Sequence, residues 1–173
     1  MISRINTALF CVSVVALLGR SVHADPAPDP LYRLANPSTG DHLFTTSFDE
    51  VISAIENFGY QYEFVAAKCF TTSQAGTVPF FRLRHLADHF YTTSEQEAEI
   101  AVAANGFTRE GTACYVYPSQ VAGSCPIYRI SFSVHHFYTQ SFAEVLADFR
   151  TIAGVTFEGV AAYAPPAGTG CPQ

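Results

Sequence analysis

Apolar and polar positions along this chain change period in a fixed order, and they do so three times. Each round opens with apolar residues flanking an arginine: Leu31-Tyr32-Arg33-Leu34, Phe80-Phe81-Arg82-Leu83 and Ile127-Tyr128-Arg129-Ile130. Short runs of this composition predict a strand. A second run then alternates with period two, so that His42, Phe44 and Thr46 share one face and Leu43 and Thr45 the other. It predicts the return strand of a hairpin. The spacing next becomes helical, as at Val51, Ile52, Ile55 and Phe58. Three capping boxes precede these runs: Ser47-Phe48-Asp49-Glu50, Ser94-Glu95-Gln96-Glu97 and Ser141-Phe142-Ala143-Glu144. In such a box Ser accepts from the amide three residues on, and Glu reaches back to the Ser amide. Gly59, Gly106 and Gly154 stand where a C-terminal cap belongs, giving helices of about ten residues. A last stretch of Ala, Val and aromatics, Tyr60 to Phe70, Phe107 to Tyr117 and Val155 to Tyr163, reads as a strand, whole or broken in two.

The unit is therefore strand, strand, helix, strand. Its markers keep a period of 47, with His42, His89 and His136 spaced 47 and 47, and Glu63, Glu110 and Glu158 spaced 47 and 48. The extra residue falls just before Gly154. A fixed period of this size marks a repeat architecture, in which one unit cannot bury its sheet alone. The expected fold is α+β: three repeats (30–78, 79–125 and 126–173) closing into one compact pseudo-threefold domain over residues 25–173. A β-trefoil-like closure is the alternative, and the helix in every copy counts against it.

The first residues change what the rest means. Arg4, an apolar run from Thr7 to Leu18 and the small-residue site Val22-His23-Ala24 have the layout of a signal peptide, with cleavage expected after Ala24. The run is too short to span a bilayer core of roughly 30 Å. A secreted, extracellular chain with no membrane partner is the expectation. Beyond Ala24 there are seven Lys and Arg against fifteen Asp and Glu, a formal charge of −8. The basic residues are scattered, so the footprint needed for nucleic acid is missing. Charged residues are 14% of the chain, leaving a surface of Ser, Thr, Gln and backbone that suits neutral polar ligands.

Four cysteines follow the signal segment, an even count that reads as two disulfides in an oxidising compartment. Four cysteines allow three connectivities. We favour Cys125–Cys171, because both precede a proline at equivalent inter-repeat positions, and Cys69–Cys114 then follows by elimination.

These motifs resemble a secreted repeat family known as a domain of unknown function. Its units read Leu-Tyr-Arg-Leu-Tyr-Asn-Pro-x-Thr-Gly-Asp-His-Phe-Tyr-Thr, then a helix, then Gly-Trp/Tyr-x-Tyr-Glu-Gly-Val-Ala. The resemblance covers residues 30 to 164. Members look like tandem repeats appended to bacterial cell-wall hydrolases and like stand-alone secreted fungal proteins. It implies an extracellular accessory module for glycan or cell-wall attachment. The chain departs from the pattern where the Asn36-Pro37-Ser38-Thr39-Gly40 loop occurs in copy one alone, where His135 replaces Asp, and where no Trp follows the helix.

The expected ligand-binding residues are Asn36, Ser38, Thr39, Asp41 and His42, with Asp88 and His89 in copy two: a polar, turn-rich loop on a rigid hairpin is suited to recognition. Catalytic residues, a resident metal and a cofactor are not assigned. The leading function is a secreted, non-catalytic, monomeric binding module for glycan or cell-surface material. One alternative is a hydrolase or metal-dependent enzyme in which His42, His89 and His136 converge on the axis, since three imidazoles with an open fourth position make a catalytic zinc geometry. A structural or host-interaction protein is the third class. One Arg–Glu pair per unit, Arg33 with Glu63, Arg82 with Glu110 and Arg129 with Glu158, is expected to fix the register of each copy.

Overall fold

The computed structural model describes residues 26–172, and the expected signal segment lies outside them. The three units fold alike. The first has β1 (Asp29–Ala35), β2 (His42–Thr45), α1 (Phe48–Phe58) and β3 (Gln61–Cys69). The second has β4 (Val78–His85), β5 (Asp88–Thr92), α2 (Glu95–Asn105) and β6 (Thr108–Val116), and the third β7 (Cys125–Phe132), β8 (His135–Thr139), α3 (Phe142–Thr151) and β9 (Thr156–Ala164). Each unit builds a separate antiparallel sheet with its opening strand in the middle: β2-β1-β3, β5-β4-β6 and β8-β7-β9. The β-trefoil-like alternative does not hold: among the described residues the strands form three separate three-stranded sheets, linked by isolated bridges and not closed into a barrel.

The helix starts obey half of the capping-box expectation. Ser47, Ser94 and Ser141 accept from the amides of Glu50, Glu97 and Glu144. The serine amides, however, donate to Thr45, Thr92 and Thr139 Oγ1, which frees the three glutamates for other work. At the other end, Gly59 and Gly106 adopt φ of 75° and 74° and cap α1 and α2. Gly154 does not cap α3. The inserted residue lets the helix end at Thr151 with extended Ile152 as its cap, and Gly154 serves the turn beyond.

Every sheet buries residues on both faces, while the first halves of β3, β6 and β9 stay exposed. On the inner face, four repeat-equivalent positions meet in one core: Leu31/Phe80/Ile127, Phe44/Tyr91/Tyr138, Ala67/Cys114/Ala162 and Cys69/Val116/Ala164. On the outer face each helix covers its own sheet, as Val51 and Ala54 do over Leu34 and Leu43. Burial of side chains of this kind contributes about 1.5–3 kcal/mol for each large one, so the shared inner core is what holds three marginal units together.

The ring closes through backbone as well. Phe70 pairs with Tyr115, Tyr117 with Tyr163, and the Lys68 amide donates to Pro165 C=O, so the tails of β3, β6 and β9 form a triangle. Cys69–Cys114 bridges the first two units and Cys125–Cys171 staples the third, with Cα separations of 6.1 and 5.4 Å, the connectivity expected from sequence. Among the described residues no disulfide crosses from the third unit to the first.

Inside the core, tyrosine hydroxyls stitch neighbours together. The Tyr91 hydroxyl accepts from the Phe44 amide at 2.8 Å and donates to the Phe44 carbonyl at 2.9 Å. Tyr138 does the same to Tyr91, at 2.8 Å for both bonds. The third stitch, from residue 44 to Tyr138, has no hydroxyl to make it because residue 44 is phenylalanine.

Candidate functional site

The recurrent arginines and glutamates assemble at the seams between units. In every third strand the glutamate is the extra residue of a β-bulge: Arg33 faces Phe64 and Leu34 faces Tyr62, so Glu63 is left out of register, as are Glu110 and Glu158 in β6 and β9. A bulge re-aims its side chain. Here it brings Glu63, Glu110 and Glu158 onto Nε of Arg33, Arg82 and Arg129 at 2.7, 2.7 and 2.6 Å. The last of these is an ion pair without hydrogen-bond alignment. The in-unit Arg–Glu pairs are thus as the sequence suggested.

Each guanidinium also makes a two-pronged bond to the capping glutamate of the preceding unit: Arg82 to Glu50, Arg129 to Glu97 and Arg33 to Glu144, at 2.8–3.1 Å. This link between units was invisible in the repeat pattern. Burial raises the carboxyls of Glu50, Glu97 and Glu144, but hydrogen bonds from the arginines and from Thr45, Thr92 and Thr139 outweigh it and hold all three below the usual range.

The histidines repeat the handover. Asp41 accepts from the His89 amide at 2.9 Å and meets His89 Nδ1 at 2.6 Å, while Asp88 binds His136 in the same way, at 2.8 Å for both contacts. Nε2 of each imidazole faces its own unit's glutamate, 3.7 Å from Glu110 and 4.0 Å from Glu158. Tyr60 also donates to Asp41. Burial pulls the Asp41 carboxyl up, yet the bond to His89, its charge and the Tyr60 hydroxyl together bring it below its ordinary value. Burial and the Asp41 acceptor raise the Tyr60 phenol.

The third seam lacks this pair. His135 replaces the aspartate, and its Nδ1 meets Ala87 C=O at 3.1 Å. His42 Nδ1 is buried without a hydrogen-bond partner, its ring edge-on to Phe137 at 4.8 Å. Burial lowers the His42 pKa, with Glu63 opposing and Arg33 assisting. The three histidines therefore sit at three different seams rather than on one axial metal. Among the described residues no group of three or more His, Cys, Asp or Glu is placed to hold a metal ion. That geometry does not bring the three histidines together as the zinc alternative would need.

The expected ligand residues divide. Asn36 spans its own loop: its Oδ1 accepts from the Ser38 amide and hydroxyl, and its Nδ2 donates to Phe58 C=O at the end of α1. His85 performs the second task in unit two, with Nδ1 on Gly106 C=O at 2.9 Å. Gly40, at φ 84°, lies against His135, where a Cβ would come within 3.4 Å of the ring. Asn36, Thr39 and His89 line one cleft; Asp41 lies buried behind it, and Asp88 and His42 belong to the other two seams.

That cleft occupies the seam between units one and two and has a volume of about 330 Å³. Asn36, Thr39, Arg84, His89 and Glu110 supply polar groups, and Leu43, Phe58, Tyr60 and Leu86 apolar walls. A counterpart of about 250 Å³ lies at the next seam, between Phe90, Phe107, His136 and Glu158. Arg84, Leu86 and Glu110 were not among the expected binding residues. The signal that points to Leu86 is its left-handed φ of 52°, which appears only in the folded hairpin.

These features define a class: a ring of three α+β repeats, disulfide-stapled and knitted by Arg–Glu and Asp–His handovers, with clefts at the seams. A sequence model for the family described as Domain of unknown function (DUF5648) matches residues 30–165, and the chain belongs to that family. No curated protein and no solved structure matches it.

Proposed function

We propose that the protein is a secreted, non-catalytic module that binds glycan at a cell surface through the cleft between the first two units. The cleft carries this reading. Its volume falls at the lower end of small-molecule sites, and it combines apolar and ring walls with convergent side chains of both hydrogen-bonding senses, which suits a sugar ring. The disulfides support an extracellular setting. Among the described residues no helix is long and apolar enough to cross a membrane.

The carboxylates argue against glycoside hydrolysis. That reaction needs one carboxyl held protonated as the acid. Glu50 and Glu110 both engage Arg82, and Glu50 is held below the usual range. The test is retention on a panel of insoluble polysaccharides. Arg84→Ala and Ser53→Trp change the cleft without touching the core or the ion pairs, and each is expected to reduce retention at least fivefold with the melting temperature kept. Retention unaffected by both, or none on any polysaccharide, overturns the proposal.

A further inference from the structure

Behind the Arg82 network the three units differ at the position facing the seam arginine, and Gln140 stands in unit three where Thr46 and Thr93 stand in the others. The cross-strand partner of the seam arginine is Phe64 in unit one but Gly111 and Gly159 in units two and three. The Phe64 ring lies over the Arg33 guanidinium, 4.1 Å from it. The Arg33 side chain is accordingly 4% exposed, against 17% for Arg82 and 14% for Arg129. A Cβ built at Gly111 or Gly159 would meet nothing within 4 Å. Where the ring is missing there is a cleft: about 220 Å³ at the first seam and about 140 Å³ at the second.

The walls are nearly all polar. The first cleft has Thr46, Ser47, Glu50, Arg82, Glu110 and Thr112. The second repeats the set as Thr93, Ser94, Glu97, Arg129 and Glu158, with Val160 in place of Thr112. In each, the two terminal nitrogens of the arginine bond the capping glutamate and Nε lies 2.6–2.7 Å from the bulge glutamate, without hydrogen-bond alignment at Arg129. One guanidinium against two carboxylates leaves a surplus of one negative charge. The surplus charge and the remaining carboxylate lone pairs favour a ligand that carries a positive charge and hydrogen-bond donors. Anionic sugars are excluded on the same ground.

We propose that these clefts are two repeat-related sites for amino-sugar units of a glucosamine-type glycan, and that Phe64 closes the third. The proposal rests on the glycan reading above and gives it a second, separate set of contacts. The ammonium answers the surplus charge, and the ring hydroxyls answer Ser47, Thr46 and their counterparts. Two sites on one rigid ring raise the effective concentration for a repeating polymer, so avidity exceeds the affinity of either cleft.

Calorimetric titration of the mature chain carrying Ser53→Trp, which fills the first cleft, with glucosamine trimer at pH 6 and low salt is expected to give two equivalents. Thr112→Trp and Val160→Trp, both on the surface, are each expected to remove one. Phe64→Gly is expected to raise the count to three, and Phe64→Ala serves if the glycine variant melts early. N-acetylglucosamine trimer, without the ammonium, is expected to bind at least tenfold more weakly. With the first cleft filled by Ser53→Trp, a count other than two, an unchanged count in the folded Phe64 variants, or equal binding of the acetylated trimer overturns the proposal. If glucosamine trimer fails while polysaccharide retention still responds to Ser53→Trp, this inference falls and the first cleft stands. If both fail, both readings fall together.

Discussion

Replacing Phe44 by tyrosine should stabilise the protein. At the two equivalent positions a tyrosine hydroxyl lies between the amide and carbonyl of the neighbouring unit, Tyr91 on Phe44 and Tyr138 on Tyr91. The rings cross edge-to-face in all three pairs, with Phe44 and Tyr138 at 5.8 Å and the other two at 5.6 and 5.3 Å. By the threefold relation, a hydroxyl on residue 44 would reach toward the Tyr138 backbone as those of Tyr91 and Tyr138 reach toward Phe44 and Tyr91. A void of about 10 Å³ borders Phe44, Tyr138 and Gln140, so there is room for an oxygen. Two new hydrogen bonds at about 0.5–1.5 kcal/mol each, less a partial overpacking cost below the usual ~1–3 kcal/mol, leave a gain of about 1–2 kcal/mol. At this chain length that raises the melting temperature by roughly 2–8 °C. Thermal unfolding followed by near-ultraviolet circular dichroism measures it, and urea titration should move the midpoint at constant slope. Tyr91→Phe and Tyr138→Phe are the controls, each expected to lose about 1–3 kcal/mol by leaving buried backbone groups unpaired. A Phe44→Tyr protein that melts no higher than wild type, with controls that melt no lower, would refute the stitch argument.

Arg33→Met should destabilise more than Arg82→Met, about 3 kcal/mol against about 1–2, because breaking a more deeply buried pair strands its partners more severely; denaturant midpoints that rank the two the other way count against the role given to the closing seam. Full reduction should lower the melting temperature sharply. Sequence separations of 45 and 46 residues correspond to about 4 kcal/mol per bridge on the loop-entropy model, and an unmoved midpoint would contradict it. His42 has a folded-state pKa below its ordinary 6.5, so the unfolded chain takes up the proton first and stability drains away as pH falls from about 6.5. His42→Gln should flatten the melting-temperature profile between pH 6.5 and 5, and an identical slope in the variant would show that His42 does not set it.

The period of the chain revealed whatever each unit does for itself. Ser47, Ser94 and Ser141 cap helices, Arg33 meets Glu63, and the cysteines pair as their positions suggested, because these relations lie within one copy or at matched boundaries. The handovers were hidden for a physical reason. Repetition states that Glu50, Glu97 and Glu144 are equivalent but not which neighbour receives them, and local capping rules assigned them to the serine amide that a threonine hydroxyl in fact satisfies. The exceptions were visible as letters and opaque as structure. His135 stood out as a replaced aspartate, yet the stranded Nδ1 of His42 follows only once the seams are known. Phe64 against Gly111 and Gly159 reads as a conservative strand position until the arginine beneath it is seen.

The handover of one glutamate per unit has an arithmetic consequence. An open array of repeats can gain or lose a copy and leave two worn ends. Here Glu144 returns to Arg33 across 111 residues of sequence, and the tail triangle closes on the same boundary. Copy number is then quantised: a two-unit fragment would present one orphan guanidinium, one orphan carboxylate and a third of its core to water, and a fourth unit would find no free partner.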